Sequence, residues 1–559
     1  MESIGTIPVI QKRINKAFWM LEKWISSWQK ENGGYNGIIA TFWDYSEDWI
    51  KNHTMNQYPI ILGYLALYDK FRKKEFLDKA KRAADFLVSN QDKDGSYIDA
   101  WGDIPGKESG PVLNVCPDTA LLEVYLRCGD EKYLKAAKKN IENYIFGRWW
   151  DGKGFSNYVA NQTCKIIEAL LILSKIEKNE KYYNIAVDAG RWVLSQQIKR
   201  GDLKGAIYQA KHDDRLFLVY NGKCLPALVK LFEYTNDKRF LDAAKDLSNF
   251  ILKFMNAEGA FYSYLKPKGE KILGMPSLYT MMTILYRISR KFSLFNRSNL
   301  PSNLKRMFIK DWSLVKHPIW IARSACIILG LLELSKYVSS LREKIYIALN
   351  YLLSYQYPNG GFPNAIGYLG GDTNKSWQDV VCPIRWNGYV FPLLSELVTE
   401  PLTNLQKKQL PILIKEYYEN SEKKCFVETE KYVLFVSLAN PKIERFFIKT
   451  IDYRIHGKKQ TGCTFISSLG GKGKIQGNKI IYIGVEMIFY NNKIVINQKK
   501  NINLTLNEKL KYKTEIQNKQ FIITSKDFDI INNCALVRID KNSWTTDIRN
   551  FELSFKVKK

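Results

Sequence analysis

The sequence predicts an α+β multidomain protein: an (α/α)6-7 toroid of helical hairpins followed by a smaller antiparallel β domain. Three observations carry this expectation. A helix, a Gly-aromatic turn and a second helix recur about seven times before residue 400. The two helices of each unit differ in character. After residue 400 the apolar period changes from helical to two.

The repeat is plainest in "FLDKAKRAADFLVSNQDKDGSY" (76–97) and "FLDAAKDLSNFILKFMNAEGAFY" (240–262). Looser copies are "YLKAAKKNIENYIFGRWWDGKGF" (133–155) and "LREKIYIALNYLLSYQYPNGGF" (341–362). Turn glycines at Gly34, Gly95, Gly154, Gly205, Gly259 and Gly361 lie roughly 50–60 residues apart, except for one double step. A degenerate copy near 297–316 would fill that gap. A period of this length marks stacked units that cannot bury an apolar face alone.

The first helices are amphipathic, with Lys, Asp and Glu on one side. The second helices start near 56, 116, 161, 221, 277, 323 and 386 and are apolar on nearly every face. A helix of that kind is buried all round. Amphipathic outer helices alternating with apolar inner ones predict closure into a ring rather than an open solenoid.

The ring should occupy 1–400 and hold the catalytic machinery. Residues 401–424 read as one helix and a linker. From Cys425 to 559, runs such as "YVLFVSLAN" and "KIIYIGVEMIFY" alternate every second residue between Asn, Gly and Lys turns, which predicts antiparallel strands in a sheet or sandwich. At 559 residues, both parts are large enough for their own cores.

The net charge is +28, and residues 421–559 alone hold 26 Lys and Arg against 13 Asp and Glu. This favours an anionic oligo- or polysaccharide as partner, with peripheral contact to an anionic membrane surface as a further expectation. The basic residues do not concentrate on one helix and no nucleic-acid motif is present, so nucleic acid is disfavoured. The nine cysteines include no CxxC pair, which suggests neither a disulfide framework nor a zinc cluster; no metal and no cofactor is expected. The segment "MESIGTIPVIQKRINKAF" lacks the apolar core of a leader, and no apolar run is long enough to span a bilayer. The expected location is cytoplasmic.

The chemistry should lie where the inner helices begin. Candidate catalytic groups there are His53, Asp118, His212 and Tyr220. Candidate substrate contacts are Trp43, Asn52, Asn56, Trp101, Asn221, Arg385, Trp386 and Asn387. Aromatic rings beside carboxylates and amides suit a sugar, since rings stack on pyranose faces and paired polar groups read hydroxyls. The fourth unit is the densest, with Tyr208, His212, Asp213, Asp214, Arg215, Tyr220, Asn221 and Lys223. Asp118 and Asn221 also suit helix N-caps, and the "HDDR" run also suits a solvated loop. Arg385 is the anion-binding candidate, because a guanidinium holds a carboxylate bidentately.

Residues 52–97, "NHTMNQYPIILGYLALYDKFRKKEFLDKAKRAADFLVSNQDKDGSY", resemble a stretch of the heparinase II/III polysaccharide lyases. The resemblance implies an intracellular carbohydrate-active enzyme acting on an acidic polysaccharide, with Asn52 and His53 at a uronate. That family's C-terminal metal site and catalytic histidine are not visible, since the β domain carries only His456. Lyase, uronate epimerase and two-carboxylate glycoside hydrolase all remain open. "NQDKDGSY" and "YQYPNGGF" are also similar to the repeats of squalene-cyclase and prenyltransferase toroids, whose DxDD motif is absent. A non-catalytic glycan- or protein-binding scaffold is the third class.

Overall fold

A computed structural model describes residues 6–38, 54–97, 111–276 with short gaps, Arg306, 309, 311–368, 376–400, 409–449 with one gap, and 465–557 in segments. Its contacts divide the chain into two compact units, Met1–Phe86 with Tyr355–Lys559, and Leu87–Ser354.

Among the described residues, six outer helices alternate with six inner ones. The outer helices are α1 (Thr6–Ser26), α3 (Lys74–Ser89), α5 (Glu131–Lys139), α7 (Glu180–Ser195), α9 (Lys238–Lys253) and α11 (Leu341–Ser354). The inner helices are α2 (Thr54–Phe71), α4 (Pro111–Cys128), α6 (Ala160–Glu177), α8 (Leu225–Thr235), α10 (Ile321–Leu334) and α12 (Ile384–Leu397). The inner helix expected at 277–288 lies outside the described residues. Within the degenerate copy expected near 297–316, Arg306 is helical and Trp312–Val315 is a strand.

Each helix follows from its pattern. In α3, Phe76, Ala80, Ala83, Ala84 and Leu87 are buried, while Asp78, Arg82 and Asp85 face solvent. That spacing is one face of a 3.6-residue period. In α6 every residue from Thr163 to Ser174 is buried, including a Lys165–Glu168 ion pair at 2.8 Å. Cys116, Cys164, Cys224, Cys326 and Cys382 are all buried, as small apolar residues would be. Inner helices pass to outer ones through short left-handed joints. Lys178 and Asn236 adopt positive φ, and Asn179 and Asp237 then cap α7 and α9 through the amides of Lys181 and Arg239.

The opposite turns dock each unit on the next outer helix. Gln91 donates to the carbonyls of Gly95 (3.0 Å) and Ala136 on α5 (2.7 Å). Gln197 donates to Gly205 (3.1 Å) and Ala243 on α9 (2.8 Å). In the last turn Gln356 donates to Gly360 (2.9 Å) and to Ala17 on α1 (2.8 Å). The final turn therefore treats the first outer helix as its next neighbour, and this contact is the seam between the two ends of the helical region. Gly360 sits at φ +96° against the Met20 carbonyl, where any side chain would strike backbone. Gly95, Gly205 and Gly259 have positive φ where the pattern puts the turn glycine, whereas in the first and last turns the positive-φ residue is Gly33 or Gly360, one before the glycine singled out. The first and last inner helices also touch: Gly63 lies against the Phe391 ring and Gly388 against Pro59.

In the unit Leu87–Ser354, a small antiparallel sheet tops the inner helices. It joins β1 (Leu216–Phe217), β2 (Tyr264–Pro267) and β3 (Trp312–Val315).

The β domain begins earlier than the pattern suggests. Part of the segment expected as helix and linker is strand: β4 (Leu413–Glu419) pairs antiparallel with β5 (Glu422–Glu428). "LIKEYYE" mixes apolar and charged residues at both periods, and pairing with β5 decides for the strand. β6 (Tyr432–Ser437) and β7 (Lys442–Ile448) continue an eight-stranded sheet, and a second eight-stranded sheet follows. β6 is buried throughout. The hydroxyl of Tyr432 donates to the carbonyls of Tyr490 (2.7 Å) and Lys493 (3.0 Å), which ties the two sheets together.

The β domain also reaches the ring's seam. Glu428 at the end of β5 pairs with Lys449 at 2.9 Å, both side chains 1% exposed. Glu428 further accepts from the Trp24 indole of α1 (2.7 Å) and from Asn359 of the last turn (3.1 Å). Burial pushes the Lys449 ammonium down from its usual range, and Glu428 opposes that shift. Lys449 also donates to Ser27 (3.1 Å) and lies 4.6 Å from the Trp28 ring centre.

Candidate active site

The fourth unit gathers the most polar and aromatic groups. Its turn leads into a loop, 208–215, which ends at β1 and a short helical turn, Leu218–Gly222. Within "HDDR", residues 213–215 are described. Its two carboxylates diverge, each to its own arginine. Asp213 accepts from Arg215 Nε (2.9 Å) and Nη2 (2.7 Å). Asp214 turns inward and accepts from Arg306 Nε at 2.9 Å.

Arg306 is the anchor of this loop. Its Nη2 donates to the Ala210 carbonyl (2.7 Å), its Nη1 to Gln196 (3.2 Å), and its guanidinium lies 3.9 Å from the Tyr208 ring centre. Burial raises the Tyr208 hydroxyl to about 12, with Arg306 working against that shift. Arg215 packs over Phe217 (4.8 Å) and Tyr264 (5.9 Å). Hydrogen bonds to Asp213 hold its guanidinium protonated above its usual range, against partial burial.

Around these pairs lies a half-buried aromatic shelf. Phe217 stands 5.1 Å from Tyr220 and 4.9 Å from Tyr264, and Tyr208 stands 6.3 Å from Trp312. Tyr208, Asp213, Arg215, Tyr220, Tyr264 and Trp312 all keep partial access to solvent. Such a surface can stack a sugar ring, donate phenolic protons to its hydroxyls and meet a negative charge with a guanidinium.

The amides that open the inner helices have different work. Asn221 accepts from the Ile207 amide (2.8 Å) and donates to the carbonyls of Ile207 (3.1 Å) and Phe217 (3.0 Å). Asn387 does the same for Phe362, accepting at 2.7 Å and donating at 2.9 Å. Gln57 clasps Tyr35 likewise, and Asn56 donates to the Tyr35 carbonyl at 3.3 Å. These side chains are buried and clamp the preceding turn to the inner helix. The expectation that Asn56, Asn221 and Asn387 read substrate meets this rival: polar residues recur at the same place in each unit because each turn needs its main chain satisfied.

Asp118 is also wholly buried. It accepts from the Tyr97 hydroxyl at 3.0 Å through Oδ1, and its Oδ2 has no hydrogen-bond partner among the described residues. Burial drives its carboxyl well above the usual aspartate range, only partly offset by Tyr97. The folded protein thus holds a proton that the unfolded chain releases near the ordinary aspartate value. Stability from this group is present at acid pH and lost as pH rises from that value to the folded one. Asp118→Asn is expected to keep the Tyr97 bond, remove this slope and leave the protein more stable at neutral pH. Urea unfolding across the pH range checks it; an unchanged slope would contradict the buried-proton account.

Arg385 begins α12, where Pro383 supplies no side-chain cap. Its guanidinium lies 5.0 Å from the Trp386 ring centre, and its buried Nε has no hydrogen-bond partner among the described residues. A cation held against the positive end of a helix dipole is unfavourable unless an anion joins it. Trp386 stacks on Tyr389 at 5.9 Å and is buried.

Of the residues expected at the site, Trp43, Asn52, His53, Trp101 and His212 lie outside the described residues. Tyr220 joins Asp213 and Arg215 on the shelf. Arg306 and Trp312 were not foreseen. Both come from the region after residue 300, where the hairpin pattern fails, and that failure was the only local signal.

No family model matches the chain, and no curated protein matches it. Solved structures similar to it include a sugar epimerase from a ruminal bacterium, at 15% identity and a TM-score of 0.49, covering 69% of this chain and 98% of that one. The cellobiose 2-epimerase of Bacillus thermoamylovorans B4167 is 13% identical with a TM-score of 0.48, covering 69% and 98%. An unsaturated glucuronyl hydrolase specific for heparin is 13% identical with a TM-score of 0.46, covering 69% and 97%.

Proposed function

We propose that this protein is a carbohydrate-active enzyme whose substrate is an acidic oligo- or polysaccharide. The observation that carries this reading is a set of half-exposed rings beside two guanidiniums: Tyr220 and Tyr264 near the Asp213–Arg215 pair, and Tyr208 with Trp312 at Arg306. Pyranose faces stack on such rings, and a uronate carboxylate matches a guanidinium fork. Arg385, whose Nε has no hydrogen-bond partner among the described residues and lies at a helix start, supports an anionic ligand independently.

The proposed reaction is proton abstraction at C5 of a uronate. Pairing its carboxylate with a guanidinium lowers the cost of the charge that develops on the carboxyl group as the C5–H bond breaks. The base at the shelf, Tyr220, takes the proton. In elimination the electron pair forms the C4–C5 double bond as the C4–O bond breaks, and the leaving oxygen gains a proton. In epimerisation the proton returns to the other face of C5.

The test incubates the protein with pectate, alginate and heparin oligosaccharides in deuterated water. Deuterium at C5 or an unsaturated uronate, with turnover lost in Tyr220→Phe, is the expected result. New reducing ends without deuterium or unsaturation would overturn proton abstraction in favour of hydrolysis. Absence of binding and turnover with every acidic sugar would overturn the substrate class.

A further inference from the structure

We propose that Asp213 acts as an internal stand-in for the substrate's carboxylate on Arg215, so that only an acidic sugar opens this site. The inference rests on the sugar reading above and names its specificity device. Asp213 meets Arg215 as an incoming uronate would: Nε and Nη2 both point at its carboxylate, at 2.9 and 2.7 Å. Nε lies 3.2 Å from its second oxygen as well. The two side chains remain 20% and 27% exposed, so a ligand reaches the pair without unfolding the loop.

The neighbouring carboxylate cannot do this. Asp214 is only 3% exposed and is held by Arg306, so it stays in place when Asp213 swings away. Adjacent residues thereby divide two tasks: Asp214 fixes the loop, and Asp213 competes for the fork. Phe217 and Tyr264 beneath Arg215 keep the guanidinium plane oriented after Asp213 leaves. A neutral sugar offers the fork no charge-assisted bond, so it cannot displace the internal carboxylate.

The same local geometry occurs at the start of α9, where Asp237 accepts from Arg239 Nε (3.0 Å) and the amide of Arg239. There the arginine is 70% exposed and no ring lies over it in the described contacts, so this pair serves as the control.

The experiment measures binding of a pectate oligosaccharide and its carboxyl-reduced counterpart by calorimetry, at low and high salt. Asp213→Asn should bind the acidic sugar about fivefold more tightly, the upper range for a partly exposed ion pair. Its affinity for the reduced sugar should not change, nor should Asp237→Asn alter either affinity. In the Asp213→Asn background, Arg215→Gln should erase the preference for the acidic sugar. Asn at 213 keeps the acceptor for the Arg215 amide (3.0 Å), so the loop retains its turn. If the unmodified protein binds the acidic sugar and Asp213→Asn binds it equally or less well, the stand-in role is overturned and the sugar reading stands. If the unmodified protein binds neither sugar, both are overturned.

Discussion

Glu428→Ala is expected to destabilise the protein by about 3–5 kcal/mol, the cost of leaving one partner of a buried ion pair alone. The substitution strands the Lys449 ammonium, which is 1% exposed, and removes the acceptor of the Trp24 indole and the Asn359 amide. Those donors belong to the first outer helix and to the last turn, so the loss falls on the seam. Glu428→Gln keeps the shape but not the charge and should cost less. A Glu428→Gln, Lys449→Met pair should recover much of the stability, because it removes the unpaired charge. Urea unfolding followed by tryptophan fluorescence reads all three. A Glu428→Ala variant within about 1 kcal/mol of the parent, the scale of a surface pair, would refute the clamp.

Arg306→Ala should cost a similar ~3–5 kcal/mol within its unit and abolish sugar binding, since it removes the cation of the buried Asp214–Arg306 pair. It also removes the donors to Ala210 and Gln196 and the cation over Tyr208. Arg306→Lys should restore little. One ammonium on a flexible stem cannot reproduce a planar group that reaches three acceptors and stacks on a ring. Asp214→Leu with Arg306→Leu separates stability from function. That pair should fold better than Arg306→Ala yet still fail to bind, because the loop has lost its anchor. Thermal unfolding and calorimetry with the acidic oligosaccharide provide the two readouts. If Arg306→Lys matches the parent in both, the anchoring role is wrong.

The hairpins were legible because burial of one face writes itself into local spacing. Phe76, Ala80, Ala83 and Leu87 announce α3 without any partner. Seam pairing was not legible. Gln356 and Ala17 stand 339 positions apart, and Gln356 looks like Gln91 and Gln197 in sequence. Leu413–Glu419 is a strand where the sequence suggests helix and linker, because "LIKEYYE" suits a helix or a strand until β5 pairs with it.

The candidate site divides in the same way. That the inner-helix starts carry polar residues is plain in the sequence, as is their density in the fourth unit. Their division of labour is not. Asn221 and Tyr220 are adjacent, yet the amide of one is consumed by main chain while the ring of the other lies on the half-exposed shelf.

By itself the sequence determined the repeated helical hairpin, the switch to strands and the net positive charge, because periodicity and composition are local properties that need no partner. The tertiary structure alone decided that the last turn docks on the first helix and that Glu428 locks that seam. It also decided that Asp213 and Asp214 face different arginines. Each of these depends on which distant group occupies the space beside a side chain. A hydrogen bond or ion pair acts over about 3–4 Å whatever the separation along the chain, so its partner is set by packing and not by spacing.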